Sequence, residues 1–233
     1  MGDDRGRILY GGTFNPVHRG HVEVATTAAT VLGIERVHLV LSARPPHRQL
    51  VPVVHRWAML RLACAADARL VADDTEVRRE LAQLDGDAAD VAAARPSYTV
   101  DTLRALRLQT PDVPLYFLIG MDSLLTLASW YRWWRIVQLC HLVVLRRPGY
   151  RLDALLPPIS QVLERRVFRP TASLPRPRGA GGRIVLLDAP MPDVSSSAIR
   201  RALGADRQAA LADVPAAVAD YIRSAGLYRD ASG

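Results

Sequence analysis

Six short runs rich in Val, Ile and Leu, separated by segments of helical periodicity, limit what this chain can fold into. The runs are Arg7–Tyr10, Val37–Leu41, Arg69–Ala72, Leu115–Ile119, Leu142–Leu145 and Ile184–Leu187. They are apolar on successive residues, as strands buried on both faces are. Between them lie helical stripes. Val24, Ala28 and Val31 mark one, closed by Gly33 as a C-cap; Val53, Trp57, Leu60 and Cys64 mark a second; Val100, Leu103 and Leu106 a third. Val214, Val218, Tyr221, Ile222 and Ala225 form the last stripe, closed by Gly226. Alternation of strand and helix implies parallel strands joined by right-handed crossovers, hence a doubly wound α/β sheet with helices on both faces.

Two segments interrupt the pattern. Asp85–Arg95 is rich in Ala and Asp and reads as a surface excursion; Pro170–Gly182 holds three Pro and three Gly and reads as a loop with no fixed structure of its own. At 233 residues the chain is expected to form one compact domain. No apolar stretch reaches about 18 residues and the N-terminus has no signal-peptide pattern, so the expectation is a cytoplasmic protein that does not enter a membrane. Cys64 and Cys140 sit in apolar runs without metal-type spacing, as buried thiols in a reducing compartment do.

All 30 basic side chains are arginine. Without lysine, a P-loop, a pyridoxal Schiff base and a lysine-nucleophile ligase are excluded. The net charge of +7 suggests anionic partners. The arginines are spread over all elements rather than clustered with aromatics, which argues against nucleic acid. Homo-oligomer formation stays open.

The chemistry concentrates where the first strand runs into Gly11-Gly-Thr-Phe-Asn-Pro-Val-His18-Arg-Gly-His21 and then a helix. Ligands of doubly wound sheets bind beyond the carboxyl ends of strands. Gly11 and Gly12 permit close backbone approach, and helix N-terminal amides favour a phosphate. His18 and His21, three apart, fall on one side of a helical turn. A strand–helix turn with surface histidines is the plainer alternative. The pair is a poor zinc site, lacking a third ligand. A second element, Ser195-Ser196-Ser197-Ala-Ile-Arg200, carries an N-cap signal whose amides and hydroxyls could hold phosphates, bridged by Arg200; an ordinary capped helix is its alternative.

The stretch from Gly11 to His21 resembles the T/HxGH signature of the nucleotidylyltransferase superfamily. The resemblance extends along nearly the whole chain and narrows to bacterial nicotinate-nucleotide adenylyltransferases. Its carriers are Pro45-Pro-His-Arg48, His55-Arg-Trp-Ala-Met59, Ser97-Tyr-Thr-Val-Asp-Thr-Leu103, Ile119-Gly-Met-Asp-Ser-Leu124, Trp130-Tyr131, Arg146-Arg-Pro-Gly149, Val194-Ser-Ser-Ser-Ala-Ile-Arg200 and Tyr221…Gly226-Leu-Tyr228. It implies a Rossmann-like nucleotidyltransferase core over residues 1–190. Residues 191–233 then form a small C-terminal helical part of the same domain. The implied reaction is adenylyl transfer from ATP, with Mg²⁺, to nicotinate mononucleotide, giving deamido-NAD and pyrophosphate. Nicotinamide mononucleotide or another phosphorylated acceptor is the alternative. The attacking phosphate is already ionised at neutral pH. Catalysis therefore needs positioning and charge stabilisation rather than a general base.

Carried onto this sequence, the resemblance makes His18, His21 and Arg200 catalytic. Gly11, Gly12, Thr13, Phe14, Gly120, Asp122, Ser195, Ser196 and Ser197 would meet ATP, and no resident metal is implied. His47, Arg48, Tyr98, Thr99, Trp130, Tyr131 and Arg147 would meet the mononucleotide, with Trp130 stacking on the pyridine ring. Core packing for Trp130, an N-cap for Asp122 and a plain surface role for Arg147 stay open. Asn15 stands where Asp is also common, with a turn-forming role expected. Arg176 and Arg178 belong to a loop expected to be disordered in solvent rather than on the triphosphate.

Overall fold

The computed structural model describes residues 6–45, 50–84, 96–146, 155, 157–171, 176–177, 179–188, 193–205 and 207–229. The strands are β1 (Arg7–Gly12), β2 (Val37–Leu41), β3 (Leu70–Asp73), β4 (Leu115–Gly120), β5 (His141–Arg146), β6 (Val167–Phe168) and β7 (Ile184–Asp188). The helices are α1 (Arg19–Leu32), α2 (Val53–Cys64), α3 (Thr75–Leu84), α4 (Thr99–Gln109), α5 (Met121–Thr126), α6 (Trp133–Leu139), α7 (Ile159–Arg166), α8 (Ser196–Ala205), α9 (Arg207–Leu211) and α10 (Ala216–Ser224).

The sheet has seven strands in the order β3-β2-β1-β4-β5-β7-β6. β1 pairs with β4, β4 with β5, and β7 with both β5 and β6, all parallel. In register, Phe117 stands between Leu9 and Leu142, and Leu142 also faces Ile184. The order reverses between β1 and β4, the switch point at which doubly wound sheets bind ligands. All six expected strands form, β2 with the expected ends and the others with ends moved by one or two residues. β6 escaped the sequence reading because two half-buried residues carry no period.

The chain divides into two compact units. The first holds Met1–Gly11, Val24–His38 and Tyr98–Met191. Its core is β4, β5 and β7, where Leu115, Leu142, Val143, Val144, Ile184 and Val185 are completely buried. The stripe Val100, Leu103 and Leu106 turns α4 inward, against α6. α1 ends in a Schellman turn at Gly33, whose φ is +61°: Gly33 N–H donates to Thr30 O and Ile34 N–H to Ala29 O. Val31 does not join the buried stripe. It is 40% exposed, while Val24, Ala25, Ala28, Ala29 and Leu32 are buried.

Within 170–182, expected as a loop with no fixed structure of its own, the described residues 176–177 and 179–182 are tied to distant elements. Tyr116 donates its hydroxyl to Pro177 O, His141 Nε2 pairs with Gly179 O, and Arg107 Nη2 donates to Ala180 O. A Cβ on Gly181 would lie 2.7 Å from Cys140 N, so only glycine permits this approach. Side chains from distant elements hold these described residues, which local composition could not foretell.

The second unit holds Gly12–Glu23, Leu39–Ser97 and Pro192–Gly233. Here α2 packs against β3 and α10, and α8 against α9. The buried face of α2 is Arg56, Met59, Leu60, Ala63 and Cys64, whereas the expected stripe members Val53 and Trp57 are partly exposed. An arginine displaces them because backbone carbonyls inside this unit require a donor. α10 closes with a second Schellman turn, from Gly226 N–H to Arg223 O and Leu227 N–H to Ile222 O. Cys64 and Cys140 are buried free thiols, and burial pushes Cys64 up to about 12. The segment 85–95 lies outside the described residues. Among the described residues no helix is long and apolar enough to cross a membrane.

Candidate active site

In the second unit, the turn from β1 to α1 is organised by packing before any ligand is considered. Phe14 is 1% exposed and adopts a left-handed φ of +45°. A Cβ on Gly12 would lie 3.0 Å from its ring. On the strand side, within the first unit, a Cβ on Gly11 would lie 3.2 Å from the Phe117 ring. Both glycines therefore have an internal reason besides backbone approach to a ligand.

The histidine pair follows. The rings of His18 and His21 lie 3.6 Å apart between centroids, tilted by 31°, and Phe14 stands edge-on to His21 at 5.0 Å. His18 N–H donates to His21 Nδ1 at 3.2 Å. A backbone amide can only donate, so Nδ1 must carry its lone pair. Neutral His21 then holds its proton on Nε2. Burial, and secondarily the neighbouring His18, hold the His21 pKa well below the ordinary histidine value. At neutral pH the residue is therefore an uncharged donor of one defined hydrogen.

The serine-rich helix docks on the same turn. Ser195 is its N-cap: its Oγ accepts from Ala198 N–H and its carbonyl from Ile199 N–H. Ser196 donates its hydroxyl to Pro16 O at 2.9 Å. Arg200 donates from Nη1 to Asn15 O at 2.7 Å and from Nη2 to Ser197 Oγ at 3.2 Å. A Cβ on Gly20 would meet Val194 Cγ1 at 2.7 Å, so the small residue inside the histidine motif admits the chain that leads into α8. The starts of α1 and α8 thus converge within one unit. Helix starts attract anions, although here Arg19 N–H is already bonded to Asp213 O, His21 N–H to His18 O and Ala198 N–H to Ser195 Oγ.

Three residues of this region, Arg56, Glu76 and Tyr228, were not singled out from the sequence. Arg56 is 3% exposed, and its guanidinium donates to four carbonyls, those of Thr13, Ser42, Ala43 and Val51. It ties the turn after β1 to the loop after β2, which Ser42 N–H also joins at Gly12 O. Glu76 accepts from Ala43 N–H in the same loop. A signal existed: Arg56 lies in helical register with Met59 and Ala63 on an otherwise apolar face. Tyr228 donates its hydroxyl to Asn15 Oδ1 at 2.7 Å, and Asn15 is 2% exposed. Asn15 is therefore a buried acceptor as well as a turn former. Pairwise contacts across 213 positions leave no local pattern to find.

In the first unit, Tyr98 and Tyr131 bring the start of α4 to the segment before α6, with rings 4.6 Å apart. Thr99 opens α4, and half-buried Trp130 follows a short 3-10 helix over Leu127–Ser129. Arg132 lies 5.1 Å from the Tyr131 ring centre. Gly120 is the N-cap of α5; Asp122 forms no side-chain cap but covers Gly120, with Oδ1 2.5 Å from where a Cβ would be. Arg176 donates to Leu32 O. His47, Arg48, Arg147 and Arg178 lie outside the described residues. Among the described residues no group of three His, Cys, Asp or Glu side chains is placed to hold a metal.

Comparison with known proteins adds to this geometry. Residues 9–202 match the model of the family described as cytidylyltransferase-like. A protein of Aeromonas salmonicida named "Probable nicotinate-nucleotide adenylyltransferase" is 39% identical over 223 residues, covering 95% of this chain and 96% of its own. One of the same name from Aeromonas hydrophila is 40% identical over 96% of this chain and 97% of its own. Among solved structures, Plasmodium falciparum nicotinic acid mononucleotide adenylyltransferase complexed with NaAD superposes with a TM-score of 0.69 at 18% identity. That superposition covers 95% of this chain and 96% of the other, which shows the Rossmann-like fold. The chain belongs to the cytidylyltransferase-like family and, within it, to the nicotinate-nucleotide adenylyltransferases.

Proposed function

We propose that this enzyme transfers the adenylyl group of ATP to nicotinate mononucleotide, releasing pyrophosphate and forming deamido-NAD for NAD biosynthesis. The observation that carries the reading is the neutral, single-tautomer His21 at the start of α1, with α8 docked on the same turn. The mononucleotide phosphate attacks the α-phosphorus in line, and the bond to the leaving pyrophosphate breaks as the new bond forms. Negative charge shifts onto the leaving group and the equatorial oxygens. His21 Nε2–H and His18 meet that charge as aimed donors, the class of contact whose removal costs about 2.7–4 kcal/mol of barrier. The α8 amides and Arg200 hold the β- and γ-phosphates, with Gly11 to Phe14 along the nucleotide. Arginine suits this task because its planar fork matches phosphate oxygens. Mg²⁺ enters with the substrate as MgATP and neutralises the triphosphate.

In the first unit, Gly120 and Asp122 are assigned to the adenosine, and Tyr98, Thr99, Trp130 and Tyr131 to the pyridine nucleotide. His47, Arg48 and Arg147 are assigned to the mononucleotide through the family resemblance. No nucleic acid takes part. The test is a two-substrate assay: purified protein with MgATP and nicotinate mononucleotide, read by mass spectrometry for deamido-NAD. Product that requires both substrates supports the reading, and none formed overturns it. A run with nicotinamide mononucleotide measures acceptor choice as a ratio of kcat/KM. A site that hydrogen-bonds the carboxylate rejects the amide.

A further inference from the structure

Three groups from the C-terminal part of the second unit reach the same two residues ahead of the histidine pair. Ser196 bonds Pro16 O, Arg200 bonds Asn15 O, and Tyr228 bonds Asn15 Oδ1. The first two belong to the phosphate helix. Tyr228 does not, and it alone of the three reaches the Asn15 side chain. We propose that Tyr228 is a positioning residue for the His18–His21 turn, acting through Asn15. The proposal rests on the adenylyltransferase reading and extends it to a residue outside the substrate-handling set.

The Asn15 amide oxygen is buried, and a buried acceptor requires a donor. The phenol is 2.7 Å away and can supply one. Burial raises the Tyr228 pKa, which Arg200 and Arg56 only partly offset, so the hydroxyl keeps its proton at working pH. The backbone is bent to deliver it. Gly226 has φ of +62° and Tyr228 of +59°, a left-handed conformation that a bulky residue rarely adopts. The Schellman turn through Leu227 holds this bend on the end of α10. Asn15 is followed by Pro16, which is anchored to Ser196, and His18 comes two residues later. Fixing Asn15 by both its carbonyl and its side chain therefore fixes the entry to the turn on which His18 N–H sets the His21 tautomer.

The experiment uses the full chain and begins with the two-substrate assay on the parent. Tyr228→Phe keeps the ring and removes the donor. Expected are a kcat lowered about tenfold, both KM values within about twofold of the parent, and a His21 NMR titration midpoint moved up toward about 6.5. Asn15→Ala is expected to show the same kcat loss, with the double variant no slower than either single one. Asn15→Ser replaces it if the alanine variant does not fold. A Tyr228→Phe enzyme with parental kcat and an unmoved His21 midpoint overturns the proposal. So does a double variant whose loss is the product of the two single losses, since independent structural effects multiply. If the parent makes no product, the functional reading fails while the His21 titration still decides positioning.

Discussion

Each unit contains a histidine set by the same device, one opening a strand and the other beyond a strand's carboxyl end. In the first unit, Arg183 N–H donates to His141 Nδ1, so His141 holds its proton on Nε2 and donates it to Gly179 O. In the second, His18 N–H donates to His21 Nδ1. Burial is the leading cause that lowers both pKa values. His141 opens β5 and is 0% exposed, so its hydrogen serves the fold. His21 lies beyond the carboxyl end of β1 and is partly exposed. The arginines repeat the contrast. Arg107 donates to the carbonyls of Thr110, Pro111, Val113, Leu139 and Ala180, ahead of β4, β5 and β7. Arg56 gathers carbonyls that follow β1 and β2. The same chemistry stands where strands begin in the one case and beyond where they end in the other, the end at which ligands of such sheets sit.

The largest expected effect breaks the histidine comparison if it fails. His21→Ala should lower kcat about a hundredfold, and His18→Ala at least about tenfold, with the circular dichroism spectrum unchanged. His141→Ala should leave kcat within about threefold and instead lose about 2–3 kcal/mol in urea titration, from two orphaned buried partners. A His141 variant as inactive as the His21 variant would erase the distinction.

The arginine pair sharpens the same contrast. Arg56→Met and Arg107→Met should each cost about 3 kcal/mol or more of stability, measured by urea unfolding. Under conditions where both remain folded, only Arg56→Met should also lower kcat/KM for ATP, by about tenfold. Equal catalytic losses would make Arg56 no more than a structural clamp.

Acid should find the first unit's histidine. The folded His141 pKa is depressed, so its stabilisation is fully present above about 6.5 and is lost as pH falls through that value toward the folded pKa. The urea midpoint should therefore drop between about pH 7.5 and 5.5, and His141→Gln should flatten that slope. A slope unchanged in His141→Gln would assign the loss to His21, whose shift has the same sign.

The smallest effect concerns Gly20. In Gly20→Ala the new methyl group meets Val194 Cγ1 at 2.7 Å, closer than real Cβ contacts come. The end of the flexible valine can yield, but the same methyl would also lie 3.1 Å from His18 Nδ1; kcat should fall about threefold, and Val194→Ala in the same chain should restore the part due to Val194. Failure of that rescue would mean that Gly20 answers to something other than α8 docking.

Much of this was legible along the chain. Repeated short apolar runs and helical stripes determined a parallel α/β sheet, because buried strands and amphipathic helices impose different local periods. The strand–glycine–histidine stretch and the serine-rich helix start were likewise readable, since caps and tight turns use residues a few positions apart. The order β3-β2-β1-β4-β5-β7-β6 was not readable, nor was the seat of Arg56, the bonds that tie Pro177 to Tyr116 and Gly179 to His141, or the bond from Tyr228 to Asn15. Each of these depends on partners brought together from distant positions. A buried carbonyl or amide oxygen must find a donor, but nothing local says which one. By itself the sequence determined the kind of sheet and the glycine–histidine stretch at its end; the tertiary structure decided which side chains hold that stretch in place.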